Sequence, residues 1–88
     1  MPMVWIPPLL RKLTGGQEVI AVPGQTVRQV IDAMEETYPG MRARLGEGDR
    51  LRPGLSVVVD GAVSRRGLGH PLDEASEVHF VPVVGGGG

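Results

Sequence analysis

A regular spacing of apolar residues predicts one amphipathic helix near the middle of the chain. The apolar positions recur at intervals of three and four residues, with charged residues between them, which places them on one helical face. This apolar stripe consists of Val27, Val30, Ile31 and Met34. Thr26, followed three residues later by Gln29, has the sequence of a capping box. Because Pro39-Gly40 cannot continue a helix, we expect the helix to end at about Thr37.

A first β-hairpin is predicted before the helix. Residues 3–6 favour a strand and are followed by two prolines, which cannot donate to a β-ladder. A wide loop then ends in the turn signal Thr14-Gly15-Gly16. Residues 17–22 carry three β-branched side chains and precede Pro23-Gly24, so they are expected to form the second strand.

A second hairpin and a final strand are predicted after the helix. Residues 55–59 form a β-branched run that ends in Asp60-Gly61, the preferred pair for a two-residue type I′ turn. Ala62 and Val63 then begin the return strand. After a turn-rich stretch, residues 77–84 are expected to form the last strand and to lead directly into four glycines.

Two segments between the helix and the second hairpin are less regular. Residues 41–45 fit one further short helical turn. Residues 46–54 are rich in glycine and charge, which is typical of a mobile surface loop. The order of elements predicts an α+β fold in which a mixed sheet packs one face on the main helix. The ubiquitin-like β-grasp has this order, with a domain over residues 1–84 and a flexible glycine tail over residues 85–88.

Composition limits the classes of partner. A chain of 88 residues supports one domain with one modest core. The formal net charge of −1 provides no global field to attract nucleic acid or an anionic membrane, so neither is expected as a partner. The chain contains no cysteine, which excludes disulfides, thiolate metal sites and a cysteine nucleophile. No basic leader or long apolar run is present, and a cytoplasmic location is therefore expected.

The sequence gives no sign of a catalytic or metal site. His70 and His79 have no neighbours at metal-ligand spacing, so no metal is expected. Gly46-Glu47-Gly48 contains an acidic residue and lacks the lysine of a phosphate-binding loop. The serines do not match a nucleophile elbow or a triad. These observations favour a protein that is a substrate or a binding partner over an enzyme.

Three motifs, in order along the chain, carry a resemblance to a known family. Residues 6–16 read IPPLLRKLTGG, Val59-Asp60-Gly61 lies in the middle, and residues 77–84 read EVHFVPVV before the glycines. This ordered set resembles the CysO branch of the ThiS/MoaD-type sulfur carriers over essentially the whole chain. The family pattern after Pro82 ends at Gly87, so Gly88 is one residue longer than that pattern.

The resemblance implies that the C-terminal glycine is the working group. A ubiquitin-activating-type enzyme would adenylate the terminal carboxylate with ATP, and sulfur would then replace AMP to leave a thiocarboxylate. The modified residue would be Gly88, or Gly87 in the family register, at the end of a tail formed by Gly85, Gly86 and Gly87. No cofactor would be bound to the carrier itself. The sulfur would pass to a biosynthetic enzyme, of the cysteine-synthase type or another.

Two alternative functions use the same tail. The first is the small subunit of molybdopterin synthase, which stays docked on a larger catalytic subunit. The second is a ubiquitin-like modifier or interaction module that is conjugated to a target lysine through its terminal glycine. The segment from Leu10-Arg11 to Gly16 favours the CysO branch.

A docking surface is predicted because a thin glycine tail provides little binding energy by itself. If Val4 and Ile6 face the helix, strand alternation places Trp5 on the opposite face. The same argument predicts one partner-binding patch, formed by Trp5, Val58, His79 and Val81. The alternative is that Trp5 is buried under the loop of residues 46–54.

Overall fold

A five-stranded sheet, a small two-stranded sheet and a main helix make up the fold. The computed structural model describes residues 1–83. Within these residues there are seven strands: β1 (Met3–Trp5), β2 (Val19–Ala21), β3 (Gly46–Glu47), β4 (Arg50–Leu51), β5 (Leu55–Val59), β6 (Ala62–Val63) and β7 (Glu77–Pro82). The helices are α1 (Val27–Thr37) and α2 (Met41–Leu45), with 3-10 helices at Pro8–Thr14 and Gly67–Gly69.

The main sheet is mixed, and its last strand lies at its centre. The strand order is β2-β1-β7-β5-β6. Strands β1 and β7 are parallel, whereas the β1–β2, β5–β7 and β5–β6 pairs are antiparallel. The β1–β2 hairpin thus lies on one side of β7 and the β5–β6 hairpin on the other, with α1 packed across one face of the sheet. This is the ubiquitin-like β-grasp, and the predicted fold class is confirmed.

Helix α1 begins where its cap predicts. The Thr26 hydroxyl accepts a hydrogen bond from the Gln29 backbone N–H at 3.2 Å, which satisfies one of the unpaired donors of the first turn. The Gln29 side chain also reaches back, but its Oε1 accepts from the backbone N–H of Gln25 at 2.8 Å, one residue before the cap. The helix ends at Thr37, as the following Pro39 requires.

The core forms between the helical stripe and the inward face of the sheet. All four stripe residues, Val27, Val30, Ile31 and Met34, are at most 3% exposed. Their sheet partners lie at alternating strand positions, as period-two geometry requires: Val4, Ile20, Val57, Val59, Val78 and Phe80. Each such side chain contributes about 1.5–3 kcal/mol when it is fully buried, so the stripe and the sheet face stabilise each other.

The predicted type I′ turn is confirmed. Asp60 and Gly61 have φ angles of 51° and 86°, the two positive values that this turn needs and that glycine adopts at no steric cost. The Asp60 carboxylate also accepts from the backbone N–H of Glu77 at 2.8 Å. The turn therefore fixes the start of β7 as well as joining β5 to β6.

Two segments that were predicted as loops are ordered elements. The prediction of a mobile loop over residues 46–54 is wrong for residues 46–51, because Gly46↔Leu51 and Glu47↔Arg50 pair as an antiparallel hairpin. Leu51 packs against the core, and this contact holds the hairpin in place. The wide loop after β1 contains a seven-residue 3-10 helix. Because this helix has three residues per turn, Leu10 and Leu13 lie on the same side and both face the core.

The predicted boundary between the domain and the glycine tail lies outside the described residues. Strand β7 ends at Pro82, so Val83 does not continue the predicted strand, and Val84 lies beyond the part of the chain that the structure describes. Within residues 1–83, no helix has the length and apolar character needed to cross a membrane.

Candidate docking face and chain exit

The sheet face opposite α1 carries an apolar row that crosses all five strands. Consecutive members are direct cross-strand neighbours: Val19↔Trp5, Trp5↔His79, Val58↔His79 and Val58↔Val63. We call these five residues the open-face row. Four of them are half-buried and Val63 is 65% exposed, so the row presents apolar surface that α1 does not cover.

Trp5 and His79 form the centre of the row. Their rings stack with centroids 4.3 Å apart and planes inclined by 12°. The parallel register places the two Cα atoms side by side, so the stack follows from backbone geometry, and one face of each ring covers the other. Trp5 is therefore half-buried by its neighbour on the sheet, while the hairpin of β3 and β4 packs against α2 and the second 3-10 helix.

The structure brings together the four residues that strand alternation predicts for the patch. Trp5, His79 and Val58 are consecutive members of the row. Val81 lies two residues along β7 from His79, on the same face, and pairs with Ser56. Sequence reasoning did not include Val19 and Val63 at the two ends of the row, because which strands flank β1 and β5 is set by the sheet order.

The described chain ends beside the start of β5. The Val83 backbone N–H donates to the Gly54 carbonyl oxygen at 2.7 Å, which extends the β5–β7 pairing by one bond beyond Leu55↔Pro82. The predicted tail residues Gly85, Gly86 and Gly87, and the predicted reactive residue Gly88, lie outside the described residues. The structure therefore fixes where the described chain ends: Val83 directly follows the central strand β7.

A second candidate site is a cavity of about 270 Å³ on the helix side, between α1, α2 and the β3–β4 hairpin. Its charged side chains pair with one another: Arg28 lies 3.1 Å from Asp49, and Arg42 lies 3.0 Å from Asp32. The Glu35 carboxylate accepts from the backbone N–H groups of Arg42 at 2.8 Å and Gly40 at 3.2 Å. These bonds hold the pKa of Glu35 below its ordinary value. These groups hold α2 and the β3–β4 hairpin on α1.

Ser64 and His70 form a close contact that sequence reasoning missed. The Ser64 Oγ lies 2.7 Å from His70 Nδ1, but the same oxygen accepts from the backbone N–H groups of Arg66 at 3.0 Å and Gly67 at 3.1 Å. Its hydrogen is left to donate to the imidazole, and both lone pairs are occupied. The pair closes the turn before the second 3-10 helix, and it does not present a free nucleophile.

Among the described residues, no group of three or more histidines, cysteines or carboxylates is arranged to hold a metal.

The β-grasp fold, the open face and the central last strand define a ubiquitin-like protein. More specifically, the chain belongs to the ThiS family, whose model matches residues 4–87. The sulfur carrier protein CysO of Mycobacterium tuberculosis is 32% identical to this chain, and the match covers 96% of each protein.

Solved structures of related proteins have the same fold. CysO from Amycolatopsis orientalis, solved in complex with BexX, superposes with a TM-score of 0.89 at 31% identity and covers 99% of this chain and 100% of its own. CysO of M. tuberculosis gives a TM-score of 0.87 at 29% identity over 96% of this chain and 100% of its own. The small archaeal modifier protein 1 of Methanosarcina acetivorans, at 23% identity and a TM-score of 0.76 over 98% of this chain and 95% of its own, shares the fold.

Proposed function

We propose that this protein is a sulfur carrier whose C-terminal glycine, Gly88 or Gly87 in the family register, is converted to a thiocarboxylate. The observation that carries the proposal is the match to the ThiS family through residue 87, which includes Gly85, Gly86 and Gly87. The relationship to CysO, a sulfur carrier protein, over 96% of the chain supports the same role. In this role the protein is a substrate of its partner enzymes.

The proposed chemistry proceeds in two steps on a partner enzyme. A terminal carboxylate oxygen attacks the α-phosphorus of ATP, the bond to the β-phosphate oxygen breaks, and pyrophosphate leaves. Hydrosulfide then attacks the acyl carbon of the adenylate, and the bond to the phosphate oxygen breaks. AMP and a proton are released, and the thiocarboxylate remains without any net oxidation. Activation is needed because a free carboxylate is a poor electrophile, and a closed site protects the adenylate from water.

The geometry of the carrier suits this chemistry. Fully extended, the four glycines span at most about 13 to 14 Å, and without side chains they can enter a narrow channel while the domain stays outside. Ordering them costs on the order of 4 to 8 kcal/mol. The domain must therefore supply binding energy, and the open-face row beside the chain exit offers apolar area for this purpose. Aromatic residues such as Trp5 are frequent binding hot spots.

The partners that we propose are an adenylating enzyme of the ubiquitin-activating type and a sulfur-accepting biosynthetic enzyme. The complex of the A. orientalis CysO with BexX supports docking of such a carrier on a second protein. The acceptor that we favour makes cysteine or another sulfur-containing metabolite, because the CysO proteins are related to this chain at 29–32% identity over at least 96% of its length.

Intact-mass measurement tests the proposal. The protein is incubated with an adenylating enzyme encoded in its own genome, ATP and sulfide, with a reaction lacking ATP as the control. We expect a gain equal to the mass difference between one sulfur and one oxygen atom, located on the C-terminal peptide. A gain on an internal peptide, or no gain with any such enzyme, would refute the proposal. A covalent conjugate to lysine would instead assign the protein to the modifiers.

A further inference from the structure

Several carboxylates lie at one end of the main sheet, and several cations lie at the other end. Because β7 runs from Glu77 to Pro82, the sheet has a starting end and an exit end, where the described chain finishes. The starting end carries four carboxylates and the N-terminal ammonium group, which lies 2.9 Å from Glu74. These carboxylates are Asp60, Asp73, Glu74 and Glu77. These five charged groups leave the starting end acidic.

The exit end is basic. Strand β1 is parallel to β7, so the first 3-10 helix, which follows β1, lies at this end together with the segment that enters β5. Arg11 is engaged there, since its Nε donates to the Ile6 carbonyl oxygen and its guanidinium lies 3.9 Å from Glu18. Lys12 and Arg52 are exposed, and neither forms an ion pair within residues 1–83. The Arg52 guanidinium donates to the Ala43 carbonyl oxygen at 3.4 Å, so its charge lies beside α2 and is not neutralised there.

An exposed leucine accompanies these two cations. Side chains three residues apart lie on one side of a 3-10 helix, so Leu9 shares its side with Lys12, while Leu10 and Leu13 face the core. Leu9 is 85% exposed, the highest value among the large exposed hydrophobic residues of the described chain. We call Leu9, Lys12 and Arg52 the exit rim. Arg52 belongs to it because its carbonyl oxygen bonds to Leu55, whose strand partner is Pro82.

We propose that the exit rim docks on an acidic surface that surrounds the tail entrance of the adenylating enzyme. This inference rests on the proposed function. The tail indicates which protein docks on the rim. Residues 84–88 span at most about 17 Å, at about 3.3–3.6 Å per residue. An enzyme that binds the terminal carboxylate must therefore come within this distance of Val83. It must therefore lie against the residues that surround the exit. A basic rim with an acidic opposite end also orients the approaching carrier with its tail foremost in the field of an acidic entrance.

Rapid-mixing kinetics with the adenylating enzyme that activates the wild-type chain test this inference. Lys12→Glu with Arg52→Glu should lower the association rate and kcat/KM by about tenfold or more at low ionic strength, because charges at an interface rim act mainly on association. The turnover number at saturating carrier should not change, and the loss should shrink as salt is added. Leu9→Ser should instead raise the dissociation rate and leave the salt dependence as in the wild type.

The matched control is Arg65→Glu with Arg66→Glu, which changes the net charge equally but lies in the loop after β6. It should keep the wild-type association rate. If both double variants slow association equally, net charge accounts for the effect and the rim proposal is wrong.

If the rim variant behaves as the wild type, the rim proposal fails while the carrier function stands. Absence of adenylation of the wild type itself would refute the proposed function, and the rim proposal with it. Unchanged unfolding midpoints should confirm that both variants fold.

Discussion

Trp5 and His79 lie face to face across the parallel strands β1 and β7, with ring centroids 4.3 Å apart. The stack joins the first strand of the chain to the last of the described strands on the face that α1 leaves open. Offset aromatic pairs of this kind contribute about 0.5–1.5 kcal/mol beyond the area that they bury. A side chain held in this way is already ordered before a partner arrives, so little rotamer freedom is lost on binding.

Replacing Trp5 by alanine should weaken binding to the adenylating enzyme by more than about 1 kcal/mol if the open-face row is the docking surface. The domain should stay folded, because the core lies on the other face of the sheet. Isothermal titration calorimetry measures the effect, and Glu36→Ala on the exposed side of α1 is the control. Val81→Asp should act in the same direction. Equal affinities for Trp5→Ala and the parent protein would exclude the row as the docking surface.

Replacing Ile31 by alanine should lower the free energy of unfolding by about 2–4 kcal/mol, because the change leaves a cavity beneath the sheet. Ile31 is 3% exposed and belongs to the helical stripe. Denaturant unfolding followed by circular dichroism measures the loss, with Glu36→Ala again as the surface control. A loss below about 0.5 kcal/mol, the range of ordinary surface substitutions, would contradict this packing of α1.

Replacing Gly24 by alanine should destabilise the domain by about 1–3 kcal/mol through overpacking. A Cβ atom at Gly24 would lie 2.8 Å from both the backbone nitrogen and Cγ2 of Val30 in the first half of α1. Gly69 is the matched control, since a Cβ atom there meets nothing within 4 Å. Thermal unfolding should separate the two variants. Equal midpoints would show that the close approach of the β2–α1 connection to the helix is not a constraint.

Replacing Glu35 by glutamine should reduce the acid sensitivity of the fold. Its carboxylate accepts from the backbone N–H groups of Arg42 and Gly40, and these bonds hold its pKa below the ordinary value of 4.5. A depressed pKa means that the folded chain binds this proton less tightly than the unfolded chain does. The stabilisation is therefore complete above pH 4.5 and is lost as the pH falls through the folded pKa.

The measurement is the unfolding midpoint of wild type and Glu35→Gln from about pH 6 to about pH 3. The wild-type midpoint should fall more steeply toward acid than that of the variant. Glu36→Gln removes the same charge one residue away and serves as the control. Parallel curves for wild type and Glu35→Gln would show that the carboxylate is not linked to folding through α2.

Adding one bulky residue after Gly88 should abolish the sulfur-dependent mass gain, because a side chain at the end cannot pass where glycine passes. An added glycine is the control for length. Deleting Gly88 should be tolerated if the family register, which ends at Gly87, applies, and should be harmful if the longer tail is the native one. Full activity of the chain with a bulky terminal residue would contradict the proposed role of the carboxylate.

Features set by neighbouring residues were predictable from the sequence. Thr26 and the apolar stripe define α1 because capping and helical periodicity act within one or two turns. Asp60-Gly61 defines its turn because few pairs accept two positive φ angles. The inward and outward sides of β1 and β7 follow from alternation alone, and on this basis Trp5 and His79 were placed on the same face.

Features that depend on distant residues were not predictable. The hairpin of β3 and β4 lacks a strong strand signal, and it is held by the packing of Leu51 on the core and by the bond from the Arg52 N–H to the Leu45 carbonyl oxygen. Val19 and Val63, the ends of the open-face row, could be identified only from the order of the strands in the sheet. Ser64 and His70 lie six residues apart, and only the turn between them brings the hydroxyl to the imidazole.

The central place of β7 determines when the protein can fold during its synthesis. Strands β1 and β2 form one half of the main sheet, β5 and β6 form the other, and β7 alone joins them. A nascent chain lacking β7 therefore exposes the unpaired edges of β1 and β5 and an incomplete core. The sheet is completed only once Glu77–Pro82 has left the ribosome, because this strand joins its two halves.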